Sequence, residues 1–189
     1  MKPKGISILS TLSNSEMKIL EIIKTRRSIR RFREEDVSEE DLMKILEAAI
    51  WAPSAGNRQP WEFIIVKDKH LKEKIAEAAY NQKWMTTAPV IIVICADEMR
   101  SASRYGERGR SLYCIQDTAA ATQNILLAAH ALNYGTCWVG AFDENRVKEI
   151  LGIPRNVRPV ALIPIGRADE HPKPPSRIPL ERLIHRDGY

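Results

Sequence analysis

TAAATQNILLAAHAL, residues 118–132, carries no formal charge when His130 is counted neutral, and small or apolar residues surround its helical wheel. A helix of that kind is buried on most of its faces. It is too short, and too rich in Thr, Gln, Asn and His, to cross a bilayer. In a chain of 189 residues it belongs at the centre of the fold, in a subunit interface, or both.

Working outward, four apolar runs read as strands: WEFIIV (61–66), VIIVIC (90–95), CWVGAF (137–142) and VALIPI (160–165). Helical spacing links Ile19, Ile22 and Ile23 within 15–24. SEEDLMKILEAAI (38–50) sets Leu42, Ile45, Leu46 and Ala49 on one stripe, with Ser38 as N-cap, Asp41 three residues on, and Pro53 as the stop. Residues 69–79 place Leu71, Ile75 and Ala78 on one side. These elements predict a single α+β domain with a mixed central sheet flanked by helices.

Between them lie three irregular stretches. PSAGNRQPW (53–61) is a loop by composition. Residues 97–113 are polar and arginine-rich without a clear period, and read as a mobile excursion able to act as a lid, or as a solvated loop. The proline-rich stretch 167–189 reads as an extended arm, and residues 1–14 as a loose lead-in or an arm on a partner subunit.

Composition narrows the function classes. Hydrophobic residues at 44% and charged residues at 28% describe a soluble globular chain, and no run of about twenty apolar residues is present. Cys95, Cys114 and Cys137 are irregularly spaced, which predicts buried reduced thiols and a reducing cytoplasm, not a disulfide framework or metal knuckle. The histidines His70, His130, His171 and His185 lack ligand spacing, and His130 reads as a satisfied core histidine. No GxSxG, GxxxxGK[ST] or GxGxxG occurs, so enzymatic chemistry here would come from a borrowed cofactor.

The segment TRRSIRRF (25–32) concentrates positive charge. Residues 24–33 carry six cations (Lys24, Arg26, Arg27, Arg30, Arg31, Arg33), and residues 34–41 carry six carboxylates (Glu34, Glu35, Asp36, Glu39, Glu40, Asp41). That cancellation, with no interleaved aromatics, argues against a nucleic-acid stripe. Two readings remain: a solvated surface of weak ion pairs, or a site where Arg26, Ser28 and Arg30 converge on one small phosphate while the other arginines pair locally.

Taken in order, TRRSIRRF (25–32), APSAGNRQPWEFIIV (52–66), APVIIVICAD (88–97), AAATQNILLAAHALNYGTCWVGAF (119–142), PIGR (164–167) and PPSR (174–177) resemble the nitroreductase family of FMN-dependent oxidoreductases, from about Leu20 to the C-terminus. The resemblance implies an interlocked homodimer with FMN in each of two interface clefts and NAD(P)H as co-substrate. It implies that Arg26, Arg27, Ser28 and Arg30 hold the flavin phosphate and ribityl chain, and that Arg177 returns to that phosphate from the tail. Pro53, Ser54, Ala55 and Asn57 would reach the flavin of the other subunit, and backbone groups near Val139 and Gly140 would pass the ring edge. Asn81 and Gln82 are weaker candidates for polar contacts. No side chain is assigned as a proton donor and no metal is implied.

The chain is short for the family, and Gly140 stands where some relatives carry an acidic residue. The acceptor expected from the resemblance is a nitroaromatic, quinone, flavin or enone, reduced by a ping-pong mechanism. The alternatives are a specialised FMN reaction, either reductive dehalogenation or flavin-consuming biosynthesis, and, in another class, a basic nucleic-acid-binding protein.

Overall fold

A computed structural model describes residues 14–189. Its helices are α1 (Asn14–Thr25), α2 (Glu39–Ile50), α3 (Lys69–Ala78), α4 (Glu98–Arg108), α5 (Cys114–Ala131) and α6 (Glu144–Leu151). Its strands are β1 (Trp61–Val66), β2 (Val90–Asp97), β3 (Gly135–Thr136) and β4 (Val157–Gly166). They form one sheet in the order β1-β2-β4-β3, every pair antiparallel. An isolated parallel bridge joins Ser28, outside these strands, to Thr136. The expected lead-in over 1–14 lies, apart from Asn14, outside the described residues.

β2 divides the core. Its alternate residues Val90, Ile92 and Ile94 join Leu42, Ile45 and Ala49 of α2 and Ala121, Ile125 and Ala129 of α5. Ile91, Val93 and Cys95 face the other way, to Ile75 and Ala78 of α3 and Val147 of α6. With both faces covered, the strand reads as an unbroken apolar run although its partners are antiparallel. Each fully buried Ile or Leu contributes roughly 1.5–3 kcal/mol, and the two layers are fixed by this central strand.

Helix starts follow local chemistry. Ser38 accepts from the Asp41 N–H at 3.1 Å to open α2, and Asp68 accepts from Leu71 N–H at 2.8 Å to open α3. In α5, the residues of 118–132 that remain exposed are Gln123 and Ala131.

Three sequence expectations change. CWVGAF is not a strand: β3 covers Gly135–Thr136, and Val139 makes one isolated bridge to Leu162. Its apolar residues Cys137, Val139 and Phe142 are buried by packing instead of by sheet pairing. Residues 97–113, aperiodic in sequence, are helical. Asp97 caps α4, and a π-helical turn, Gly109–Tyr113, runs straight into α5. The helix is held by polar contacts from Arg100 to Glu62 and Asp97 and from Arg110 to Glu98 and Glu107, which leave no apolar stripe to read. Finally, α6 went unread, although Asp143 caps it and Gly152, at φ 63°, ends it.

Candidate functional site

The arginine segment leaves α1 in extended form. Ile29 N–H donates to Thr136 O at 2.9 Å, and Arg33 N–H to Arg167 O at 2.9 Å. Ile29 and Phe32 turn inward onto Ala88, so the charged residues between them point elsewhere. Gly135 permits this docking: a Cβ there would meet Ile29 side-chain atoms at 2.8–3.0 Å.

The cations divide by partner. Arg27 turns back to donate to Lys24 O (2.7 Å) and Arg26 O (2.8 Å), neutralising the carbonyl end of α1. Arg33 pairs with Glu35 at 3.7 Å, while Arg31 pairs with Asp169 beyond β4 at 3.2 Å, not with the acidic block that follows it in sequence. Among the described residues, Arg26 and Arg30 have no carboxylate within ion-pair distance of their guanidinium groups. The Arg30 fork lies 6.0 Å from the Trp84 ring centroid, within cation–π range.

Arg26, Ser28 and Arg30 all act on one buried sulfur. Burial raises the Cys137 thiol pKa, Arg30, Ser28 and Arg26 pull it back down, and Glu170, which accepts from the Arg30 N–H at 2.5 Å, raises it again. Burial lowers the Arg26 pKa, the Cys137 thiol raises it, and the positive charges of Arg27 and Arg177 lower it again. The Arg177 side chain is exposed and donates to Ser176 O at 3.3 Å. Guanidinium groups without a carboxylate partner are suited to an anion.

Arg26 and Arg27 line a cavity of about 560 Å³, together with Tyr134, Arg167, His130 and Glu170, whereas Ser28, Arg30 and Arg177 are not in its lining. His130 was missed as a site residue. It is half-buried, its Nε2 is 2.9 Å from Thr25 Oγ1, and burial with the Arg26 and Arg27 charges lowers its pKa. No local signal could have shown this, since the pairing joins distant parts of the chain. Arg167 is structural: it donates to Leu132 O and Asn133 O and lies 4.0 Å over the Tyr134 ring.

The second group of expected residues stands apart, and the cavity lining contains none of Pro53, Ser54, Ala55 or Asn57. That loop is fastened to α4 and α5. Ala55 N–H donates to Asp117 Oδ1 at 3.1 Å, and Ser54 Oγ accepts from Gln59 N–H at 3.0 Å. Gly56 turns at φ 53°, where a Cβ would approach the Tyr105 hydroxyl to 2.5 Å. Arg58 binds Arg100 O and Ser103 Oγ, tying the loop's end to α4.

The third group is mixed. Val139 exchanges both backbone hydrogen bonds with Leu162, at 3.0 Å each, so its amide and carbonyl are committed to the sheet. Gly140 is exposed, with open space around its Cβ position apart from Trp138 at 3.9 Å. Gln82 donates to Ala79 O and Ala141 O at 3.0 Å each, bracing the same strap, and Asn81 is an exposed positive-φ turn residue.

Comparison with known proteins gives this geometry a family. The family model described as "Nitroreductase family" matches residues 23–83 and 77–167. A protein of Archaeoglobus fulgidus, provisionally named NADH dehydrogenase/NAD(P)H nitroreductase, is 43% identical over 151 residues, covering 78% of this chain and 83% of its own. FMN reductase [NAD(P)H] of Bacillus subtilis is 34% identical over 186 residues, covering 89% of this chain and 74% of its own. The structure of NADPH:FMN oxidoreductase from Vibrio harveyi complexed with NAD+ superposes with a TM-score of 0.83 at 27% identity, covering 90% of this chain and 77% of that one. The chain belongs to the nitroreductase family.

Proposed function

We propose that the protein is an FMN-dependent oxidoreductase that draws electrons from NAD(P)H and delivers them to a small acceptor such as a nitroaromatic, quinone, flavin or enone. The observation that carries this reading is that Arg26 and Arg30, on either side of Ser28, keep guanidinium groups without a carboxylate partner among the described residues. FMN carries one phosphate, and two guanidinium forks with a hydroxyl form a donor set of that size. The named relatives that reduce FMN or flavin support the same cofactor and donor.

When bound, FMN would supply the redox chemistry, taking a hydride from NAD(P)H and passing electrons to the acceptor in a ping-pong sequence. The protein's part is binding, orientation and exclusion of water. Arg26 and Arg30 would hold the phosphate, with Trp84 within cation–π range of Arg30, and Arg177 would join them from the tail. Arg27 contributes by ending α1, which keeps its neighbour Arg26 in place. Gly140 offers exposed backbone where Val139 has none to spare.

The loop Pro53–Asn57 lies outside the lining of the cavity that holds Arg26 and Arg27, and this supports a homodimer in which it would serve the partner's flavin. Exposed apolar residues fit the same assembly: Trp51 is 79% exposed just before the loop, and Ile178 and Leu180 of the tail are exposed as well. In that dimer α4 and the π-helical turn form the cover over the loop. Among the described residues no helix is long and apolar enough to span a membrane. Three free buried cysteines suit a reducing cytoplasm.

Purified protein mixed with FMN and freed of excess should be yellow, and NADH or NADPH should bleach it. A colourless product that shows no flavin absorbance rejects the proposal.

A further inference from the structure

Asp117 sits just ahead of the charge-free stretch of α5 and is more than nine-tenths buried. Its Oδ1 accepts from Ala55 N–H at 3.1 Å, and its Oδ2 is buried with no partner among the described residues. The ionisable groups sharing this neighbourhood give it no counter-charge. Glu98 of α4 and Asp117 both act on the buried Cys114 thiol, which burial and these charges push up to about 11. The cation that also reaches that thiol, Arg158, is held by both carboxylate oxygens of Glu144 at 2.8 Å. An ionised carboxylate in such a place is satisfied by one hydrogen bond and carries a large desolvation penalty. A neutral acid fits better: its carbonyl oxygen accepts from Ala55, and its other oxygen becomes a hydroxyl.

We propose that Asp117 is a positioning residue, one that holds the Pro53–Asn57 loop through the Ala55 amide as a neutral acid. This rests on the reading above that the loop serves a flavin site, and it sharpens that reading. Ala55 spends its N–H on Asp117 and Asn57 donates its own to Ser54 O at 2.9 Å, so the loop's uncommitted backbone donors among the described residues are Ser54 and Gly56. Burial, acting against the Ala55 hydrogen bond, raises the Asp117 pKa above its ordinary 3.8, in line with the geometry.

Asn matches the neutral acid in shape, accepting at Oδ1 and donating from Nδ2, whereas Leu matches only the volume. Infrared difference spectra of flavin-free wild type against Asp117→Asn, recorded as the pH is lowered toward 3.8, should show the carbonyl band of a protonated acid in the wild type alone. Dissociation constants for FMN, read by fluorescence quenching, should stay within about 3-fold of wild type for Asp117→Asn and rise about 10-fold for Asp117→Leu, as loss of the acceptor leaves a buried amide unpaired.

Between pH 3.8 and the raised folded-state value, the native protein keeps a proton that the unfolded chain has released. Wild-type stability should therefore fall with rising pH through that window, and Asp117→Asn should lack this slope. Absence of the acid band overturns the proposal, as does equal weakening by Asn and Leu. Should Asp117→Leu fail to fold, the infrared band and the pH slope decide on folded protein. Wild type that never binds FMN rejects the proposed function, while the infrared comparison still judges the state of Asp117.

Discussion

At the scale of single residues, the arginine motif works by division of labour. Arg27 ends a helix, Arg31 and Arg33 hold neighbouring carboxylates, and Arg26 and Arg30 keep open forks. Arg26→Ala should weaken FMN binding about 10- to 100-fold, the range expected for losing a charge-assisted hydrogen bond worth about 1.5–3 kcal/mol. Arg33→Ala should leave the dissociation constant within about 2-fold, because exposed pairs such as Arg33–Glu35 contribute about 0–1 kcal/mol. Fluorescence titration of both variants tests the pair together. The charge balance of 24–41 was enough to argue against a nucleic-acid stripe, and residue type separated the phosphate candidates. The roles of Arg27, His130 and Asp117 depend on contacts with the end of α1, with Thr25 and with Ala55, and those were invisible before folding.

At the scale of elements, legibility follows the source of each element's stability. β2 and α5 announce themselves because burial on all sides demands continuous apolar sequence. α4 does not, because ion pairs and an Asp cap hold a polar helix together without a stripe. CWVGAF misleads for the opposite reason: it is buried, yet its backbone makes a single bridge. α6 is eight residues long with Val147 as its one buried side chain, too little pattern to notice. The docking of the arginine strap on β3 is also an element-scale property, and Gly135 controls it. Gly135→Ala pushes a Cβ into Ile29, an overpacking expected to cost about 1–3 kcal/mol. Urea denaturation should report that loss, and FMN affinity should fall with it because Arg26 and Arg30 move with Ile29.

For the whole molecule, the proposed reading puts one end of a flavin site at the arginine segment docked on β3 and the other on the 53–57 loop. Two copies can unite them. Sedimentation should give a dimer, and Trp51→Asp, which sets a charge on the exposed apolar rim beside the loop, should shift the population toward monomer. FMN retention should fall in parallel, since a monomer keeps the arginines but lacks the partner's loop. A monomeric wild type that binds FMN tightly would contradict the assembly.

The helix α5 touches both ends of this arrangement, with Asp117 under the loop and His130 beside Thr25 and Arg26. Helical rise places them about 20 Å apart along one rigid rod. One residue inserted between them would rotate His130 by about 100° relative to Asp117. The helix thus acts as a gauge: beyond the packing of its side chains, the number of residues along 118–129 is set by the phase between its two ends.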